Sequence, residues 1–370
     1  MMMALMSSCN KLEVESVQGT EAVYISAAMS SVDIQTKAPY LLTLPTYDDP
    51  LNVDIWASTT SGEYEASDLD GSGEDGAVAM HTTATFQSGE NQLLKDIIYS
   101  EKNQGVYFVG FHPNGWNGTH VTEENVGDVY NATVQFNGRE DVMFAPQTMG
   151  KYGSGTNPHL LFHHLLTYVT IEIKVDVDTS AEEEDQVTEE ESIRNAWGNL
   201  TELKITSSNR VSVGLYNGLY STDQQGESVY DFDAGVAFQN DGGDGKLSFH
   251  YKDTDAPISI SNGYEMTRTA EEVAYVMCSP VFATEANHEE YSIYLSTANR
   301  DVVVLPLDLR TTDGSPFIGS TRGKHFKVVL NFKRGDNITI STGVTDWTTG
   351  GTATGNIGES NIVNNSGNES

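Results

Sequence analysis

Basic residues are scarce: 20 Lys or Arg stand against 53 Asp or Glu in 370 residues, giving a formal net charge of -33. Nucleic acids and anionic lipid surfaces are held by neutralising phosphates with basic side chains, so this composition excludes both as partners. Cysteine is nearly absent. Cys9 and Cys278 are the only two, and their unlike surroundings argue against a disulfide between them, so stability has to come from burial. No run of about 18 apolar residues occurs, so nothing here spans a bilayer as a helix.

The common marks of catalysis are missing too. There is no Gly-x-Ser-x-Gly elbow, no phosphate-binding glycine loop and no His-Glu-x-x-His. Paired carboxylates carry little information among 53 acids; a glycosidase, with two carboxyls about 5 to 9 Å apart, stays open only as a remote reading. Residues 68–75 open like a calcium loop, but Ala79 stands where a bidentate Glu is required, so they read as an acidic exposed loop, with a weak Ca²⁺ site as the alternative. His163 and His164 alternate faces on a strand and do not converge with His159 on one ion. Cys278 lies in an apolar strand, where burial should raise its pKa and quench its nucleophilicity. The expectation is therefore a protein that is not an enzyme, with no catalytic residues, no metal site and no cofactor.

What is present points to strands. With 38% hydrophobic and 9% aromatic residues, the chain can build a core, and its length suggests two domains at about 150 residues each. Period-two alternation recurs at 51–58, 105–111, 132–136, 168–177, 302–309, 326–332 and 338–344. In the first, Leu51, Val53, Ile55 and Ala57 face one side and Asn52, Asp54, Trp56 and Ser58 the other, as in a half-buried strand. In 168–177, Val169, Ile171, Ile173, Val175 and Val177 should face inward, and Tyr168, Thr170, Glu172, Lys174 and Asp176 outward. Turn pairs such as Asn114-Gly115, Asn137-Gly138 and Asp313-Gly314 separate the runs.

Helical signals are few. Residues 92–98 fit a short helix or a strand equally, and 192–200 are a second short helical candidate. Between Asp176 and Glu191 there are nine acids and no base, which reads as a self-repelling solvated loop. The pattern predicts an all-β fold of antiparallel β-sandwiches in tandem, 10–155 and 156–350, followed by a flexible polar tail at 351–370. Trp56, Trp116, Trp197 and Tyr220 are candidate platforms for a sugar face, the basis of an alternative reading as a glycan-binding surface lipoprotein.

The N-terminal segment Met6-Ser7-Ser8-Cys9 resembles the end of a bacterial lipoprotein signal, which makes 1–9 a signal remnant and Cys9 the acylated residue. Further pieces follow in order: Tyr107-Phe108-Val109-Gly110-Phe111-His112-Pro113 with Gly115-Trp116, Gly138-Arg139-Glu140-Asp141-Val142-Met143-Phe144-Ala145-Pro146-Gln147, Leu161-Phe162-His163-His164-Leu165-Leu166-Thr167, and Val344-Thr345-Asp346-Trp347. Together they resemble the fimbrillin family of Gram-negative gut and oral anaerobes, over about residues 9 to 350.

The resemblance implies two transthyretin-like β-sandwich domains and a pilus subunit, exported as an outer-membrane lipoprotein. It implies loss of an N-terminal strand to a protease and assembly when a strand from another subunit fills the vacated groove. Its partners would be other pilus subunits and a host or bacterial surface ligand, with the membrane reached only through the lipid. The strand to be lost would lie within 17–32, where Val23, Ile25, Ala27 and Met29 alternate with Ala22, Tyr24, Ser26 and Ala28. Two departures matter. The family's processing site is an Arg, yet the first Arg here is Arg139, so Lys37 is the candidate cleavage residue. Beyond Trp347 only Asn361-Ile362-Val363-Asn364 offers an apolar fragment, too short for a donor strand, which favours a tip or accessory role over a stalk role.

Overall fold

Alternation in the sequence becomes strands in the computed structural model. It describes residues 21–29, 51–62, 64, 81–86, 92–99, 105–123, 127–151, 157–222, 228–254, 256–287, 291–311, 313–335, 337–346 and 358–364. The chain begins with β1 (Glu21–Met29), β2 (Leu51–Ser58), β3 (His81–Phe86), β4 (Gln92–Tyr99), β5 (Gly105–His112), β6 (Asn117–Glu123), β7 (Gly127–Gln135), β8 (Met143–Lys151), β9 (His159–His164) and β10 (Thr167–Val175). Then come α1 (Glu183–Trp197), β11 (Leu200–Thr206), β12 (Arg210–Leu215), β13 (Tyr220–Thr222), β14 (Ser228–Tyr230), α2 (Phe232–Gly235), β15 (Val236–Gln239), β16 (Lys246–Ser248) and β17 (His250–Tyr251). The remainder is β18 (Glu271–Cys278), β19 (Phe282–Ala283), β20 (Tyr291–Thr297), β21 (Arg300–Leu307), β22 (Gly319–Ser320), β23 (Lys324–Lys333), β24 (Asn337–Asp346) and β25 (Gly358–Asn364). The fold is all-β, with most strand pairs antiparallel.

Seven strands form one sheet in the order β3-β2-β5-β8-β9-β1-β4. Its end strands β3 and β4 come back into contact, so the sheet curls around an inner core that includes Val23, Ile25, Val53, Ile55, Phe108 and Phe162. The outer face of the same sheet is also covered. Trp56, Phe111 and Phe144 belong to a second, larger core, with Trp56 4.9 Å from Phe111 and 5.7 Å from Tyr130 between ring centroids. This corrects the half-buried reading of β2: Val53, Ile55 and Ala57 fill one core while Asp54 and Trp56 are buried on the opposite face. A central strand with apolar layers on both sides has no solvent face.

The cover on that outer face is the four-stranded sheet β15-β12-β7-β6. Here β7 pairs antiparallel with β12, so strands from either side of residue 155 share a ladder. Asn114-Gly115 and Asn137-Gly138 lead from one sheet to another and do not close hairpins. Gly138 has φ 89, and a Cβ there would lie 2.7 Å from Val276 Cγ2, so both the backbone and the space demand glycine.

The remaining strands build a sandwich. The sheet β17-β18-β10-β23-β24-β25 faces the sheet β16-β11-β20-β21, with Ile171, Val328 and Ile340 from one and Ile205, Ile293 and Leu305 from the other in the large core. β10 is central, antiparallel to β18 and parallel to β23. Its inward residues are placed as the alternation predicts. Tyr168 and Thr170, expected outside, are buried as well, because His325 lies over them: the Tyr168 and His325 rings are 4.5 Å apart, and Thr170 Oγ1 bonds His325 Nε2 at 2.9 Å.

Three local expectations are overturned or settled. Residues 92–98 form the strand β4. The acidic stretch expected as a loop is largely the helix α1, with Glu183, Glu184 and Asp185 in its first turn, where the helix dipole favours negative charge. Arg268 bridges Glu183 and Glu190, and Ile193 and Trp197, one turn apart, bury the helix against the sandwich, Trp197 edge-on to Phe332 at 5.1 Å. The tail expected to be flexible contains β25, paired antiparallel with β24. Backbone hydrogen bonds hold such a strand without a long apolar run.

Candidate functional site

The feature that sets this fold apart is the position of β1. It is antiparallel to β4, with Ala22 opposite Ile98 and Tyr24 opposite Leu93, and parallel to β9, with Ser26 opposite His159 and Met29 opposite Phe162. β1 is thus an interior strand that separates β4 from the rest of its sheet. Val23 and Ile25 are fully buried in the inner core, and Ala27 packs beside it. β9 pairs with β8 only at Met143–His164 and Phe144–His163, so among the described strands its first four residues, 159–162, have ladder partners in β1 alone.

The slot occupied by β1 therefore offers two rows of backbone groups and a line of apolar sockets. It suits an extended segment with bulky residues two apart followed by a small one. Gly110 adds to this shape. A Cβ there would lie 2.7 Å from Phe162 Cζ, so the missing side chain is what lets Phe162 cross the inner core.

Polar side chains pin the strands around the slot. Asp54, in the middle of β2, accepts hydrogen bonds from Gly115 N at 2.6 Å and Trp116 N at 2.9 Å, and His81 Nε2 lies 3.2 Å from it. Two backbone amide donors and an imidazole thus hold a carboxylate that would otherwise be costly to bury. His164 Nδ1 meets the buried Asp141 at 2.6 Å. His112 Nδ1 bonds Asn52 O at 2.8 Å, and its pKa is lowered chiefly by burial. On the opposite face of β9, His163 packs 4.9 Å from the Phe232 ring; burial, then His164 and Arg322, bring its pKa down to about 4.

The structure sorts the residues singled out by sequence. Cys9, Lys37 and the acidic loop 68–75 lie outside the described residues. Trp56, Trp116 and Trp197 are buried and Tyr220 is half-buried, so these residues serve as packing and not as sugar platforms. Their polar neighbours in sequence gave an impression of exposure that the second core removes. Cys278 is buried, and burial pushes its thiol up to about 12. Asp54 and the His164–Asp141 pair were missed. An aspartate inside Val53-Asp54-Ile55 is the signal that could have found the first, since an acid in an apolar strand needs buried donors.

A sequence profile of the fimbrillin-like family matches residues 45–347. Among solved structures, the chain is similar to a candidate cell adhesion protein from Bacteroides uniformis, at 14% identity and TM-score 0.42, covering 88% of this chain and 99% of that one. A candidate cell adhesion protein from Bacteroides ovatus matches at 13% identity and TM-score 0.45, covering 90% and 99%. The fimbrial anchor protein from Porphyromonas gingivalis matches at 8% identity and TM-score 0.37, covering 88% and 97%. A search of curated proteins returns no match.

Proposed function

The chain belongs to the fimbrillin-like family, and from that premise we propose that it is a structural subunit of a cell-surface fimbria that accepts a strand from a neighbouring subunit. One observation carries the reading: β1 fills an interior place in its sheet with Val23 and Ile25, while its link to β2 runs through residues 30–50, where Lys37 lies. Cleavage in that link would leave β1 held only by contacts that another strand of the same pattern can reproduce. The subunit would be exported as a lipoprotein through Cys9, reach the outer surface, and bind other pilus subunits there. The two sandwich units, 10–155 and 156–350, would be of the transthyretin-like kind, joined by the β7–β12 ladder and by β9, which the second unit contributes to the sheet of the first.

A tip or accessory place in the fibre remains the reading we favour, on a revised ground. β25 is long enough for a strand, but its apolar residues, Ile362 and Val363, are adjacent in sequence. Neighbouring residues of a strand alternate faces, so a donated strand of this sequence would bring one apolar residue per face and could not fill the Val23 and Ile25 sockets together.

Limited trypsin digestion tests the acceptor reading. Cleavage after Lys37 should release no β1 peptide until a competing strand peptide is added, and Lys37→Ala should abolish that cut. A chain that sheds β1 at once, or that gains no affinity for strand peptides when cut, would contradict it. The anchor is tested separately by radiolabelled fatty acid, which should mark the wild-type chain and leave Cys9→Ser unlabelled.

A further inference from the structure

Sheet edges are dangerous because their unpaired N–H and C=O groups can recruit another strand, and most natural edges are short, charged or covered. In this molecule β3 and β4 meet each other, β15, β16 and β17 are only four, three and two residues long, and β25, which covers β24, reads Gly-Glu-Ser-Asn-Ile-Val-Asn. β6 is an edge of comparable length, but it reads Asn-Gly-Thr-His-Val-Thr-Glu. β21 is different. It ends the order β16-β11-β20-β21, and its sequence Arg-Asp-Val-Val-Val-Leu-Pro-Leu places the protective features, Asp301 and Pro306, at either side of an apolar run.

The faces of β21 are unequal. Val303, Leu305 and Leu307 enter the large core, whereas Val302 is 55% and Val304 47% exposed. These two valines lie on a sheet face of unusual charge. Val304 sits opposite Tyr294, and Tyr294 opposite Lys204. Lys204 is 2.8 Å from Glu202 and 3.8 Å from Asp244, and Lys246 is 3.7 Å from Asp244 and 4.0 Å over the Tyr294 ring. Two lysines thus balance two acids in a chain whose net charge is -33. A second copy, repelled by most of the surface, meets no net charge here.

We propose that β21 is a homophilic interface, through which two copies pair edge to edge and antiparallel about a two-fold axis centred on Val303. A two-fold perpendicular to the sheet keeps both outer faces on one side, so only residues of like parity can stand opposite each other. Centring on Val303 sets Val302 against the partner's Val304, and Val304 against the partner's Val302. Two cross-strand valine pairs then shield each other from water. Centring on Val304 would oppose Val302 to the partner's Pro306, and centring on Val302 would oppose Val304 to the partner's Arg300; each loses one valine pair. The contact joins two four-stranded sheets into one of eight strands. It uses neither the β1 slot nor the N-terminus, so it would link subunits or fibres side by side whatever fills that slot.

Sedimentation of the full chain across a dilution series tests the proposal. The wild-type chain should show a monomer–dimer equilibrium, and Val302→Lys or Val304→Glu alone should weaken it by about tenfold or more, since each places two charges opposite valine. Both positions are exposed, so thermal unfolding of the monomer, read at the dilute end of the series, should be unchanged. The double variant V302K/V304E faces the introduced lysine with the introduced glutamate in both pairs and should recover dimerisation. A wild-type chain that stays monomeric, single variants that dimerise as wild type does, or a double variant that remains monomeric would each overturn the proposal.

Discussion

Replacing Val23 and Ile25 together by alanine is expected to cost about 4 to 6 kcal/mol of stability in the part of the molecule that contains the inner core. Both side chains are fully buried there. The loss has two sources: transfer of the removed methyl groups, and cavities that strands already bonded on both sides close only in part. Urea unfolding followed by far-ultraviolet circular dichroism reads it as a shift of the first transition. In chain cut after Lys37 the same substitutions act on binding, and about 4 kcal/mol corresponds to roughly a thousandfold weaker hold on β1. Leu161→Ala is the control. Leu161 stands beside β1 in the ladder but is exposed, and its replacement should change stability by less than about 0.5 kcal/mol. Equal effects from both variants would mean that β1 is held by its backbone bonds and not by its sockets.

That contrast also explains which parts of the fold could be read in the sequence. Strands announce themselves when one face is buried, because alternation is then visible; Val169 to Val175 on β10 was readable for this reason. Alternation cannot show that the second face is buried too. On β2 the residues opposite Val53 and Ile55 are Asp54 and Trp56, which look like a solvent face, yet Trp56 anchors the larger core and Asp54 is satisfied by amides about 60 residues further along. No local pattern contains that partner. The acidic stretch failed differently. Charge repulsion predicts an open loop only if no cation is near, and Arg268, which neutralises Glu183 and Glu190, is distant in sequence. The strand β1 was reached through the family resemblance, which placed a strand within residues 17–32. Its parallel pairing with β9 was not legible, since pairing depends on which backbone edge the rest of the fold leaves open.

Acid should unfold this protein through its histidines before its carboxylates are protonated. His163 and His325 are each held near pKa 4, against 6.5 when free, chiefly because burial disfavours the charged ring. His163 packs against Phe232, and the charges of Arg322 and of the adjacent His164 oppose its protonation, while His325 lies against Tyr168 and Thr170 with Glu272 and Lys327 nearby. A lowered folded pKa means that the unfolded chain binds the extra proton first. Stability is therefore level above pH 6.5, falls as the pH drops from 6.5 toward 4, and loses nothing more from these groups below that. A shift of this size is worth about 3 kcal/mol per ring. Partial exposure brings it nearer 2, so the pair costs about 4 kcal/mol by pH 4. His112, lowered for the same reason, adds in the same direction. Neutralisation of surface acids over this range relieves self-repulsion and works the other way, so the histidine contribution is isolated by substitution. In His163→Phe, which keeps a ring against Phe232, the loss of stability per pH unit between 6 and 4.5 should shrink by about 1 kcal/mol. A variant whose pH dependence matches the wild type would show that His163 is as readily protonated in the fold as in the unfolded chain.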